Sequence, residues 1–170
     1  MPLLEVTGLN LFLRGSQGTA QALRHLSFKL ERGRSLGIIG ESGSGKSLTV
    51  QTLMGLQPEQ ATVTGSILWN GQELLGQSES QWQAMRGNRM AMVFQEPMTA
   101  LNPVHTVGRQ VAEPLRRHKG LDAKAALHAA ITLLERVGIP NASVRASDYP
   151  HQFSGGQRQR ITIAMALACE

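Results

Sequence analysis

Cysteine and aromatic residues are scarce in this sequence of 170 residues. Its only cysteine is Cys169, which excludes an internal disulfide and argues against a cysteine-built metal cluster. Aromatic side chains make up 4% of the chain, so a core must be built from Leu, Ile, Val, Ala and Met. The hydrophobic content of 41% is enough for one domain with a substantial core.

Long apolar runs are also missing. No segment approaches the ~20 apolar residues that a membrane-spanning helix requires. The N-terminal residues Met1–Glu5 lack the basic region and the apolar stretch of a secretory signal peptide. These absences predict a protein that stays in the cytosol.

The basic residues lack aromatic neighbours. The net charge is +5, with 17 Lys and Arg residues against 12 Asp and Glu. The densest basic groups are Arg116–Lys119 and Arg158–Arg160. Because nucleic-acid surfaces combine clustered basic residues with aromatic side chains, we interpret these groups as a solvated helix end and a helix face. We expect no nucleic-acid partner.

Glycine, by contrast, is concentrated in one informative stretch. Residues 40–47 read Gly-Glu-Ser-Gly-Ser-Gly-Lys-Ser and fit G-x-x-x-x-G-K-[ST] at every fixed position. Glycines let consecutive backbone N–H groups surround an anion, and a following helix adds the positive end of its dipole. The predicted phosphate-binding residues are Gly40, Ser42, Gly43, Ser44, Gly45, Lys46 and Ser47. Lys46 would supply a charge to the β- and γ-phosphates, and Ser47 a hydroxyl ligand for Mg²⁺.

The flanks of this stretch argue against an ordinary Gly/Ser-rich turn. Ser35–Ile39 is a short apolar run that predicts a buried strand before the loop. Apolar residues from Leu48 to Leu56 predict a helix after it, which Pro58 stops. Strand, glycine loop and helix are the context that a nucleotide-binding loop requires.

The N-terminal half of the chain has the pattern of β structure. Residues 3–30 predict strands with a bulge near Gly8, a loop at Arg14–Thr19 and a half-buried strand ending at Leu30. Residues 64–71 predict a strand ending in an Asn-Gly turn, and residues 79–86 a short helix. Met90–Phe94 is a further apolar run and predicts a central strand that carries Gln95 and Glu96 at its end.

Helical periodicity dominates the chain from about residue 98 to residue 150. Apolar residues from Val107 to Leu115 predict a helix, with an interruption at Pro114. Asp122 predicts the N-cap of a second helix that ends at Gly138. This region is therefore expected to be a helical insert in an α/β core.

A second glycine turn opens the last predicted helix. Ser154, Gly155, Gly156 and Gln157 precede apolar residues at helical spacing. Serine and glycine at a helix start can bind an anion through backbone N–H groups and one hydroxyl. The same residues are also common as a plain structural cap, and the pattern alone leaves both interpretations open.

Taken together, these motifs resemble the ATP-binding subunits of ABC transporters over essentially the whole chain. Gly40–Ser47 resembles the phosphate loop, Gln95 the Q-loop glutamine, and Phe153–Gln157 the signature, with Phe in place of the usual Leu. The resemblance implies an α/β phosphate-loop NTPase core with an N-terminal antiparallel β region and a helical subdomain insert. Within one ATP-binding domain at 1–170, it implies a core at 1–97, a helical subdomain at about 98–152, and the signature with its helix at 153–170.

Several segments are most similar to importers of dipeptides and oligopeptides. They are the phosphate loop itself, residues 94–103, residues 149–152 and residues 163–169. Subunits that import glutathione, nickel or peptide-like antibiotics share much of the sequence of these segments. The transported solute therefore stays open among peptides, glutathione, nickel and peptide-like antibiotics.

The resemblance implies an ATPase that acts as a pair. ATP would lie between the phosphate loop of one domain and the signature of a second, head-to-tail domain, where Ser154 and Gly156 cap the γ-phosphate. Lys46 and Gln95 would be the catalytic residues, with Gln95 sensing the γ-phosphate and Mg²⁺. Ser47 and Gln95 would be the ligands of Mg²⁺. Transmembrane permease subunits would contact the helical insert and Met98–His105, with a periplasmic or extracellular solute-binding protein joining the complex. Such a subunit is peripheral, on the cytoplasmic face of the inner or plasma membrane.

Two departures from the family pattern affect these expectations. An adenine-stacking aromatic is expected near residues 17–19, where the sequence has Gln-Gly-Thr; Phe12 is the nearest aromatic, and the stacking residue is left open. The family also continues beyond the position of Glu170 into a strand ending in Asp-Glu, followed later by a His. The domain is therefore expected to be incomplete at its C-terminus. Residues 1–170 alone are expected to lack ATPase activity and to expose apolar faces around Ile38 and Val93.

Alternative functions fit the sequence less well. ABC-type ATPases of DNA repair or chromosome organisation insert a long coiled coil between the two motifs, and this chain has no heptads or room for one. A phosphate-loop kinase or GTPase would leave Ser154–Gln157 unexplained. A nucleotide-binding fragment without activity remains an open alternative.

Overall fold

The computed structural model describes residues 1–16, 18–95 and 100–170, which form two compact units, Met1–Trp82 and Gln83–Glu170. The sequence-predicted boundary at 97/98 differs from this division and stays a prediction. No helix in the described part of the chain is both long enough and apolar enough to cross a membrane.

The first unit is built on an antiparallel sheet of four strands in the order β2-β1-β3-β4. Its elements run β1 (Leu4–Gly15), β2 (Gly18–Leu30), α1 (Lys46–Leu53), β3 (Ala61–Trp69) and β4 (Gln72–Glu73), and α2 (Glu79–Met85) follows. The alternation of apolar residues along β1 and β3 buries Val6, Leu9, Leu11 and Ile67. This buried face forms the core of the unit.

Most sequence-predicted features of this sheet are confirmed. Gly8, at a φ of 57°, lies where the pairing of β1 shifts register between Val6 and Leu9, so the predicted bulge is present. Asn70 and Gly71 both have positive φ and connect β3 to β4 in a tight hairpin.

The loop at Arg14–Thr19 is shorter than predicted. Arg14 pairs with Thr19, and Gly15 with Gly18, so the strands extend almost to the turn. Gln17, in the stretch where the family pattern has an adenine-stacking aromatic and this chain has none, lies outside the described residues.

Two predicted strands are wrong. Neither Ser35–Ile39 nor Met90–Phe94 forms a strand, and Ile38 and Val93 are 42% and 39% exposed. A buried parallel strand needs hydrogen-bonded neighbours, and no described segment pairs with either run as a strand. The exposure of Ile38 and Val93 does match the expectation for these two apolar faces.

The second unit consists of helices around one apolar core. They are α3 (Val107–Lys119), α4 (Ala123–Arg136), α5 (Ala142–Arg145), a 3₁₀ turn (Pro150–Gln152) and α6 (Gly155–Ala166). Asp122 caps α4 as predicted, with Oδ1 accepting the Ala125 N–H at 2.8 Å. Gly138, at a φ of 77°, follows the end of that helix, also as predicted.

Helix α3 continues through Pro114, so the predicted interruption is wrong. Proline removes one backbone hydrogen bond from a helix interior. Burial of Val107, Val111 and Leu115 on one face of α3 compensates for this loss. Tertiary packing therefore outweighs the local preference at Pro114.

Candidate nucleotide-binding site

The glycine loop leads directly into α1 of the first unit. Gly45 is the N-cap of this helix, at a φ of 89° and a ψ of 7°, a left-handed conformation that L side chains rarely adopt. A Cβ added to Gly45 would lie 2.7 Å from Leu23 Cδ2, and one added to Gly40 would lie 2.7 Å from Ser44 Oγ. Gly45 is thus favoured both by backbone conformation and by close packing, whereas a Cβ at Gly40 would only require the exposed Ser44 hydroxyl to move.

Lys46 connects the two ends of this loop. Its ammonium donates hydrogen bonds to the carbonyl oxygens of Gly40 at 2.8 Å and Glu41 at 2.6 Å, and its Nζ lies 3.3 Å from Ser44 Oγ. The backbone therefore curls around the ammonium group. A half-buried cation held by neutral acceptors can exchange them for a charged phosphate oxygen, which makes a stronger hydrogen bond.

Two buried threonines fasten α1 behind the loop. The Thr49 hydroxyl donates to the Gly45 carbonyl at 2.9 Å, and the Thr52 hydroxyl donates to the Leu48 carbonyl at 2.7 Å. Because these bonds satisfy both hydroxyls, the two polar residues can face the core. Prediction from the sequence assigned this face of α1 to apolar residues and missed the two threonines. Their spacing of three residues, which places them on one face of a helix, is the pattern that could have identified them.

Ser47 is exposed in the first turn of α1.

Gln95 is exposed and lies in a segment without regular structure in the second unit. The strand predicted at Met90–Phe94 is absent, so Gln95 does not lie at the end of a strand as the sequence analysis predicted. Its neighbour Glu96 and the start of the predicted permease-contacting segment, Met98 and Thr99, lie outside the described residues.

The second glycine turn forms a reciprocal cap on α6. Ser154 Oγ accepts the Gln157 N–H at 3.3 Å, and Gln157 Oε1 accepts the Ser154 N–H at 3.1 Å. A serine hydroxyl that accepts a bond still carries its own proton, so Ser154 keeps a donor. Apart from their chain neighbours and the backbone of α6 itself, no atom of the described residues lies within 4 Å of a Cβ built at Gly155 or Gly156. Gln157 therefore has a structural role, whereas the turn leaves open space beside both glycines.

Displaced pKa values occur at groups outside the two glycine turns. At Glu73, burial raises the pKa, but hydrogen bonds from the Ser66 hydroxyl and from three backbone N–H groups outweigh it, and the net pKa is lowered. A hydrogen bond with Glu5 raises the pKa of Lys29. Burial raises the pKa of the Cys169 thiol. Glu73 thus stabilises the β3–β4 hairpin as a carboxylate.

Curated proteins similar to this chain are ATP-binding proteins of peptide transport. The dipeptide transport ATP-binding protein DppD of Lactococcus lactis subsp. cremoris is 48% identical over 169 residues, which cover 98% of this chain and 48% of that protein. The oligopeptide transport ATP-binding protein OppD of Bacillus subtilis is 46% identical over 168 residues, which cover 98% and 47%. The chain thus spans about half the length of the curated relatives it matches.

Solved structures of ATP-binding cassettes share the fold. The dimeric structure of the cassette MJ0796 in a post-hydrolysis state, bound to ADP and Pi, matches with a TM-score of 0.85 at 24% identity and covers 98% of this chain and 69% of that one. CbiO1 from Clostridium perfringens, part of the ABC transporter complex cbiONQ, matches with a TM-score of 0.72 at 27% identity and covers 99% and 62%. These likenesses confirm the predicted fold class.

The family comparison accounts for most of the chain. Residues 23–170 match the family described as ABC transporter. This range includes both glycine turns and the helices between them. Because the match extends over more than half of the sequence, the chain belongs to the ABC transporter family.

Proposed function

We propose that this chain is the ATP-binding part of an ABC importer of peptides or peptide-like solutes, in which residues 40–47 hold the phosphates of ATP. The observation that carries the proposal is the loop closed around the Lys46 ammonium, with glycine favoured at Gly45 by its positive φ and its contact with Leu23. Backbone N–H groups and the start of α1 would bind phosphate oxygens, and Lys46 would neutralise their charge.

Ser47 of the first unit is a proposed Mg²⁺ ligand, and Gln95 of the second unit remains a ligand that the family resemblance implies. A hydroxyl and a side-chain amide oxygen are hard, neutral donors of the kind that Mg²⁺ accepts beside substrate phosphates. Both side chains belong to exposed residues, so they are open to a ligand. When bound, the ion would neutralise charge on the phosphates during ATP hydrolysis.

A second ATP-binding domain is the proposed partner of the Ser154–Gly156 turn. The Ser154 hydroxyl keeps a donor, and the N–H groups of Gly155 and Gly156 stand at the start of α6, where no helical acceptor is available. These groups would bind the γ-phosphate held by the other domain. ATP would then favour the dimer because it contacts both domains only when they are together.

The helical unit offers a cavity for a permease segment. The cavity lies between α3, α4 and α5, has a volume of about 370 Å³, and is lined mainly by apolar surface together with Arg109 and Arg116. Its lining includes Thr106, Ala112, Ala123, Leu127, Ile131 and Ala146. We propose that a cytoplasmic segment of a transmembrane permease subunit docks here, which would place the protein peripherally at the membrane. The names of the relatives favour transport over DNA repair or chromosome organisation.

Titration of the full-length protein with a fluorescent ATP analogue tests the phosphate loop. Lys46→Ala should weaken binding by about 30-fold or more, because charge-assisted hydrogen bonds to the phosphates are lost. Lys124→Ala, which removes an exposed lysine of α4, is the matched control and should leave the affinity unchanged. Equal affinities for the two variants would refute the assignment of the loop.

A further inference from the structure

Arg145, at the end of α5, makes three contacts with the segment that precedes the Ser154 turn. Its Nε lies 3.1 Å from Asp148 Oδ2, and one terminal N–H group donates to the Gln152 carbonyl at 2.9 Å. The guanidinium carbon also lies 3.9 Å from the centre of the Phe153 ring. One planar side chain thus holds a carboxylate, a backbone carbonyl and an aromatic face at once.

Helix α3 holds the backbone that follows Arg145 through two hydrogen bonds. The Val107 N–H donates to the Asp148 carbonyl at 2.9 Å, and the Gly108 N–H donates to the Ala146 carbonyl at 2.8 Å. A Cβ on Gly108 would come within 2.7 Å of that carbonyl oxygen, so the two segments touch through backbone. The backbone immediately after Arg145 is therefore anchored to α3 before the chain continues to Phe153.

The segment 149–152 is packed through the buried Pro150, but it has few hydrogen bonds to other parts of the described chain. Residues 149–152 are closed mainly on themselves, with the Tyr149 N–H donating to Gln152 Oε1 at 2.7 Å. Among residues 1–16, 18–95 and 100–170, Arg145 is the one side chain from outside this segment that hydrogen-bonds to it. Phe153, which is 3% exposed, enters the core immediately before Ser154.

We propose that Arg145 is a positioning residue for the Ser154–Gly156 turn. By holding the Gln152 carbonyl and the Phe153 ring, it sets the direction in which the chain enters the cap of α6. It thereby sets where the Ser154 hydroxyl points. This inference rests on the proposed function of the turn as an ATP contact for a second domain. Phe153, the departure from the usual Leu, has a physical reason here: leucine could fill the core site but offers no face to a guanidinium.

The test compares Arg145→Met with Arg136→Met in the full-length protein. Arg136 is a matched control because it lies in the same helical unit and its nearest carboxylate, Glu170, is 4.0 Å away at an exposed site. Hydrogen exchange of the backbone amides of residues 149–157 reports on the held segment, and ATP-dependent dimerisation reports on the turn. Arg145→Met should speed exchange there by about tenfold and weaken dimerisation by about tenfold. The affinity of the monomer for ATP should stay within about twofold of the wild type, since the phosphate loop is in the other unit.

Two further variants keep the test decisive if Arg145→Met folds poorly. Arg145→Lys keeps the charge and the aliphatic stem but cannot contact Asp148 and Gln152 together, so its effects should be intermediate. In the Phe153→Leu background, Arg145→Met should weaken dimerisation less than in the wild type, because part of its contact is already lost.

The outcomes separate this inference from the proposed function. Exchange and dimerisation equal to those of Arg136→Met would overturn it, and so would faster exchange with unchanged dimerisation. If the wild type neither binds ATP nor dimerises, the proposed function fails. Exchange then decides alone: acceleration confined to residues 149–157 supports the positioning role, and no acceleration overturns it.

Discussion

Substituting the N-cap glycine of α1 tests how the phosphate loop is built. Gly45→Ala places a methyl group on a residue at a φ of 89°, where the left-handed conformation costs about 1–2 kcal/mol. The new Cβ would also lie 2.7 Å from Leu23 Cδ2 and 3.4 Å from the Ala22 carbonyl oxygen. Since Leu23 is buried, its movement adds about 1–2 kcal/mol. We expect the free energy of unfolding to fall by about 2–4 kcal/mol.

Gly43→Ala is the matched control for this change. Gly43 has a similar φ of 81°, but beyond its chain neighbours no atom in the described part of the chain lies within 4 Å of its added Cβ. It should therefore cost only the backbone strain, about 1–2 kcal/mol. Urea denaturation monitored by circular dichroism measures both variants, with slopes compared to confirm that the denatured states match.

A double-mutant cycle isolates the contact with Leu23. In the Leu23→Ala background the added methyl group no longer meets a side chain, so the penalty for Gly45→Ala should fall to about that for Gly43→Ala. The reasoning is refuted if Gly45→Ala destabilises no more than Gly43→Ala, or if its penalty is the same in both backgrounds.

Two further predictions concern the second glycine turn and the β3–β4 hairpin. Ser154→Arg should leave ATP binding by the monomer intact but block ATP-driven dimerisation, because a bulky cation replaces the hydroxyl proposed to donate a hydrogen bond to the γ-phosphate. Gel filtration with ATP, in a variant that cannot hydrolyse it, measures dimerisation. Loss of nucleotide binding with normal dimerisation would contradict the prediction. The folded-state pKa of Glu73 is lowered, so its stabilisation is present above the unfolded pKa of about 4.3 and is lost as the pH falls through the folded pKa. The thermal midpoint of Glu73→Gln should thus lie below that of the wild type at pH 7, and the difference should shrink as the pH falls through the folded-state pKa. The exposed control Glu59→Gln should show little difference from the wild type over the same pH range.

Features that depend on neighbours in sequence were predictable. The caps at Asp122 and Ser154 each bond a backbone N–H three residues ahead, and the Asn70-Gly71 turn needs only two residues that tolerate positive φ. The glycine loop before α1 belongs to the same class, because backbone conformation and the helix start follow from adjacent residues.

Features that depend on distant partners were not predictable in the same way. Ser35–Ile39 and Met90–Phe94 have the composition of buried strands, yet a strand exists only where another segment pairs with it. The burial of Thr49 depends on the core that surrounds it, and its hydroxyl bond to Gly45 only makes that burial tolerable.

The sequence by itself determined where the anion-binding turns lie, which residue types they offer, and which helices they begin, because these follow from contacts within about four residues. Only the tertiary structure decided that α3 passes through Pro114, that Leu23 closes over Gly45, and that Arg145 holds the approach to Ser154. The physical reason is that each of these depends on which buried surface or side chain the fold brings alongside, and residue patterns do not specify that.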